Sequence, residues 1–108
     1  MKVIVRITES FKKEAKPLLK KYKSLASDLS RLEKELLLNP TIGTPLGNNT
    51  FKIRLKIASK GKGKSGGARA IYFVKVVNET VYLLSIYNKG DRDTISDAEI
   101  EVLLEGYG

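Results

Sequence analysis

Seven residues of this 108-residue chain, FKIRLKI at 51–57, set Lys52, Arg54 and Lys56 in strict alternation with Phe51, Ile53, Leu55 and Ile57. On a β-strand alternate residues share a face and stand about 6.6 Å apart. The three cations therefore form a track whose pitch is close to the step between neighbouring phosphates of an extended single strand. Lys60, Lys62 and Lys64 continue the charge through the loop ASKGKGKSGGAR, and Arg69 opens the next apolar run. Tyr87 and Lys89 stand where the last apolar run gives way to NKGD. Such a set makes an electrostatic track for nucleic acid: arginine offers paired donors and stays charged, while lysine and tyrosine can also move a proton. The chain has no cysteine and no histidine. Thiol chemistry, cysteine or histidine zinc sites and imidazole catalysis are excluded, so any catalysis runs on Lys, Arg, Tyr or carboxylates.

Twenty basic residues against twelve acidic ones give a formal charge of +8, and the distribution is uneven. Residues 51–80 hold Lys52, Arg54, Lys56, Lys60, Lys62, Lys64, Arg69 and Lys75 against Glu79 alone, whereas 81–108 hold Lys89 and Arg92 against six acids. An anionic partner, nucleic acid above all, fits that concentration of charge. The letters GKS at 63–65 suggest a nucleotide-binding P-loop, but its first glycine would fall at Ala58, and the segment leads into a strand where a P-loop leads into a helix. The plain reading of Lys52, Arg54 and Lys56 is a solvated strand face; the nucleic-acid track is the sharper one. Tyr22, Tyr72 and Tyr82 read as core, Tyr87 as the tyrosine placed for function, and the acids at 91–105 as a solvated helix, with no tight carboxylate cluster for a metal.

These residues need a frame to hold them. The length suits a single domain over 1–108. Residues 2–7 read as a short strand, and Ser10 can cap a helix whose apolar face is Phe11, Ala15, Leu18, Leu19 and Tyr22, with Pro17 expected to kink or shorten it. A second helix spans about Leu25 to Leu38, with Leu25, Leu29, Leu32 and Leu36 on one face and Asn39-Pro40 as its stop. PTIGTPLGNNT at 40–50 reads as a loop. The strand 51–57 follows, then strands over 68–77 and 80–87 joined as a hairpin at Asn78-Glu79, apolar on both faces and so covered by helices. Ser96 to Glu99 form a capping box for a terminal helix carrying Ile100, Leu103 and Leu104. The order β-α-α-β-β-β-α is that of an α+β domain with a small, mostly antiparallel sheet. No apolar run reaches the length of a membrane span and the N-terminus reads as an alternating strand rather than a secretory signal, so a cytoplasmic location is expected.

The element order, LLLNP before a loop, the block FKIRLKIASKGKGKSGGARAIYF and the later YLLSIYNK resemble the RelE superfamily of toxins from bacterial toxin–antitoxin systems. SKGKGKSGGAR and LLSIYNK look most like its HigB-type branch. The resemblance implies a ribosome-dependent endoribonuclease that cuts mRNA in the ribosomal A site, with no cofactor, and a partner antitoxin, here HigA-like with a helix-turn-helix. It also implies roles: Lys52 and Arg54 match the family's phosphate-holding strand residues, Arg69 its arginine at the start of the next strand, and Lys89 its basic residue past the last strand. Where RelE places a catalytic tyrosine this chain has Ile95, so the general base is open, and Tyr87 is a substitute by position. Lys56, Lys60, Lys62 and Lys64 are the expected contacts to RNA or ribosome. A gyrase-inhibiting toxin of the ParE branch and a non-catalytic RNA-binding module are the alternatives.

Overall fold

The computed structural model describes residues 3–60, 67–90 and 95–107. Chain order is β1 (Ile4–Ile7), α1 (Glu9–Lys21), α2 (Leu25–Leu38), β2 (Thr44–Gly47), β3 (Thr50–Leu55), a 3₁₀ turn (Ala58–Lys60), β4 (Ala68–Lys75), β5 (Thr80–Asn88) and α3 (Asp97–Leu104). The strands form one sheet ordered β1-β5-β4-β3-β2. Among the described residues β1 runs parallel to its neighbour, β5, and the other pairs are antiparallel.

Each face of the sheet has its own cover. Phe51, Leu55, Ala68, Ala70, Tyr72, Val81, Leu83 and Ile86 pack with Phe11, Ala15, Leu18, Tyr22, Leu25, Leu32 and Leu36 of the helical hairpin. Ile71, Phe73, Leu84 and Tyr87 point the other way and pack with Ile95 and with Ile100 of α3. This two-sided burial is why β4 and β5 read as unbroken apolar runs. The capping box at Ser96 is formed as expected, with Glu99 N–H donating to Ser96 Oγ at 3.1 Å and Ser96 N–H to Glu99 Oε1 at 3.1 Å.

Four local readings change. The loop expected over 40–50 contains β2, an edge strand that tolerates Pro45 because its outer side needs no N–H, and the turn behind it sets Asn48 and Asn49 at φ 53° and 59°. Two successive left-handed residues make a tight hairpin, the conformation asparagine tolerates best after glycine. Thr8, not Ser10, caps α1: its Oγ1 accepts from Phe11 N–H and donates to Leu83 O, while Ser10 Oγ donates to Leu84 O. Pro17 does not shorten α1, which runs on to Lys21; Lys13 and Pro17 are both exposed, so the carbonyl left without an N–H lies on the solvent side. The strand expected over 51–57 ends at Leu55, because the chain there turns to meet α2.

That turn is held by a buried carboxylate. Asp28 is 1% exposed, on the inward face of α2. It accepts from Ser24 Oγ at 2.7 Å, from Ala58 N–H at 3.2 Å and from Arg31 Nη2 at 3.0 Å. Arg31 also donates to Lys56 O, and Ser24 and Ser59 bind each other's backbone N–H. Three partners satisfy most of the carboxylate's acceptor capacity, which is what allows a charge to be buried there.

Candidate phosphate-binding site

The site is set by strand register. Arg54 of β3 stands directly opposite Arg69 of β4, and Arg69 stands directly opposite Tyr87 of β5. Residues paired across neighbouring strands share a face, so one row crosses three strands as Arg54, Arg69, Tyr87. The next row on the same face is Lys52, Ile71, Ser85. This is the face that carries α3. The helix and Ile95 cover Ile71, Phe73 and Tyr87 and leave β3 open: Arg54 is exposed and Lys52 half-buried.

Arg69 is 7% exposed, with Nη1 donating to Ala68 O at 3.2 Å. Arg69, buried, and Arg54, exposed, thus stand opposite each other where the open strand β3 meets the apolar wall under α3, and arginine offers paired planar donors of the kind that suit a phosphodiester.

Gly67 sets where β4 begins. It has φ +57°, and a Cβ on it would lie 2.5 Å from Leu55 O and 3.2 Å from Ile57 N. Only glycine allows the two strands to approach so closely just before Arg54 and Arg69 pair. Its carbonyl accepts from Lys89 N–H at 3.1 Å, which brings the end of β5 beside the start of β4. Lys89, half-buried, thus stands past the same end of the sheet as the arginine row.

Of the expected site residues, the structure joins Lys52, Arg54, Arg69 and Tyr87 on one face and brings Lys89 to the adjoining turn. Lys56 is exposed beyond the end of β3 and Lys60 closes the 3₁₀ turn, while Lys62 and Lys64 lie outside the described residues. Tyr72 is core, as expected: its hydroxyl accepts from Gly43 N–H at 2.9 Å, and burial raises its pKa above 10.0, partly offset by that hydrogen bond. Sequence reasoning missed Asn88 and Asp28. Asn88 was visible only as the polar end of an apolar run; Asp28 was visible as a carboxylate three residues after Leu25, inside the apolar stripe of α2.

A family model described as the RelE toxin of the RelE/RelB toxin–antitoxin system matches residues 4–106. Among solved structures, that of a double mutant of the Escherichia coli toxin RelE in the free state is similar, with a TM-score of 0.63 at 18% identity, covering 100% of both chains.

Proposed function

We propose that this chain, which belongs to the RelE toxin family, is the toxin of a toxin–antitoxin pair and acts as a ribosome-dependent endoribonuclease on mRNA. The observation that carries the reading is the direct pairing of exposed Arg54 with buried Arg69 at the border between open β3 and the part of the sheet that α3 covers, with Lys52 two residues along and Tyr87 next across the ladder. In the reaction we propose, the ribose 2′-oxygen attacks the adjacent phosphorus and its proton passes to a base. The bond to the 5′-oxygen of the next nucleotide then breaks, leaving a 2′,3′-cyclic phosphate and a 5′-hydroxyl. Since the substrate supplies its own nucleophile, the protein has to align it and stabilise the charge growing on the phosphorane.

Arg54 and Arg69 clamp the non-bridging oxygens. Lys52 serves as base or electrostatic aid, and Lys89 or Tyr87 gives a proton to the leaving oxygen. Lys56, Lys60, Lys62 and Lys64 contact RNA or ribosome. Binding in the ribosomal A site imposes the in-line geometry that a protein without histidine does not supply alone. Its partner is an antitoxin, which the SKGKGKSGGAR and LLSIYNK segments of the HigB-type branch suggest is HigA-like, and both act in the cytoplasm. Translation in vitro with wild-type and Arg69→Ala protein tests the reading: the wild type cuts mRNA and the variant is slowed at least about a hundredfold. Equal cutting by both, or by neither, refutes the assignment. DNA damage on expression, in place of arrested translation, would favour gyrase as target.

A further inference from the structure

The end of β5 is tied to the helical hairpin through the side chain of Asn88. Asn88, 6% exposed, donates from Nδ2 to Tyr22 Oη at 3.0 Å, and its Oδ1 accepts from Gly90 N–H at 3.3 Å. Tyr22 is itself buried at the C-terminal cap of α1, where its N–H donates to Leu18 O and its carbonyl accepts from Leu25 N–H. Between the two ends of the Asn88 amide sits Lys89, whose own N–H is fixed on Gly67 O. The residue before Asn88 is Tyr87, packed against the opposite face. An amide in this position uses both its functions: the NH₂ grips the helices and the oxygen closes the turn over Lys89. No other residue type of that size presents a donor and an acceptor in this way.

We infer that Asn88 and Tyr22 are positioning residues for Lys89, so that the α1–α2 hairpin, on the far side of the sheet from the arginine row, fixes one of the two residues proposed to serve the leaving oxygen. The inference rests on the proposed endoribonuclease reading. It follows from the chain of contacts, since removing the Tyr22 hydroxyl removes the hydrogen bond that Asn88 Nδ2 donates to it, on the face of the sheet away from the arginine row. Displacement of a proton donor by a fraction of an ångström slows a reaction that depends on alignment, with about a hundredfold loss for 1 Å. Phosphate grip by Arg54 and Arg69 is unchanged, so the loss falls on kcat and not on KM.

The experiment is single-turnover cleavage of ribosome-bound mRNA by wild type, Tyr22→Phe, Lys89→Ala and the double variant, with Asn88→Ala as a second probe of the amide. Thermal unfolding and amide hydrogen exchange at Lys89 and Gly90 are measured on the same proteins. Tyr22→Phe is expected to lower kcat roughly tenfold with KM unchanged and to speed exchange at Gly90, and to have no further effect once Lys89 is alanine. If Tyr22→Phe slows the wild type and Lys89→Ala protein by the same factor, its role is general stability and the inference falls while the endoribonuclease reading stands. An unaltered kcat also overturns it. If wild-type protein cuts nothing, the functional reading fails and takes the inference with it, whatever the exchange rates show.

Discussion

Replacing Gly67 by alanine tests how the strand register that builds the site is enforced. Gly67 has a left-handed φ of +57°, and an added Cβ would sit 2.5 Å from Leu55 O, a backbone atom that cannot swing aside. Three costs combine. The left-handed conformation costs an alanine about 1–2 kcal/mol, moving β3 from β4 about 1–3 kcal/mol, and loosening the Lys89 N–H bond to Gly67 O about 1 kcal/mol. The expected total is about 3–6 kcal/mol, a large part of the roughly 5–15 kcal/mol available to a small domain. Gly47 is the control: its φ is +97° but nothing lies within 4 Å of its added Cβ, so Gly47→Ala meets the backbone cost of about 1–2 kcal/mol alone. Urea unfolding followed by far-ultraviolet circular dichroism measures both. Gly67→Ala should be the weaker by about 2 kcal/mol or more. Equal midpoints for the two variants would refute the claim that close packing of β3 on β4 at this glycine fixes the register.

Removing the carboxylate in Asp28→Ala leaves Ala58 N–H and Ser24 Oγ without their acceptor and should destabilise the chain by about 2–3 kcal/mol in the same assay; a loss under about 0.5 kcal/mol would show that the anchor is dispensable. The Tyr72 hydroxyl has its pKa raised above 10.0 by burial, so its contribution is complete below pH 10 and is lost as pH rises, since the unfolded chain gives up that proton first. Thermal midpoints of wild type should therefore fall more steeply above pH 10 than those of Tyr72→Phe, and parallel curves would contradict this. Arg54→Lys keeps the charge but loses paired donation, and should slow mRNA cutting by roughly tenfold to a hundredfold with little change in melting temperature.

The parts of the fold legible in the sequence are those written by local period. The alternation of FKIRLKI, the leucine stripe of α2 and the Ser96–Glu99 box depend on neighbours a few residues away, and the structure forms each of them, the strand ending two residues early at Leu55. What depends on distant partners was hidden. Thr8 outcompetes Ser10 as cap because it also reaches Leu83 O, a contact 75 residues away. β3 stops at Leu55 because Arg31 takes the Lys56 carbonyl. β2 was overlooked for a different reason: Asn48-Asn49 is a local hairpin signal, read as loop because Pro45 and two glycines surround it. The site shows the same division. The residue types and their alternation point to a cationic strand face, and Arg69 is expected at the same end of the sheet as Arg54. That Arg54, Arg69 and Tyr87 form one row follows only from cross-strand register, which includes an irregularity between Ile71 and Tyr72 that no strand shows by itself.

The central claim is that Arg54 and Arg69 hold a phosphate for attack by the neighbouring 2′-oxygen. Its most direct measurement is single-turnover cleavage of ribosome-bound mRNA carrying one 2′-deoxynucleotide at the mapped cut. The account predicts that this substitution abolishes cutting at that position, that unmodified mRNA ends in a 2′,3′-cyclic phosphate, and that Arg54→Ala and Arg69→Ala each slow its formation at least about a hundredfold. Cleavage of the deoxy-substituted message at the wild-type rate would contradict it.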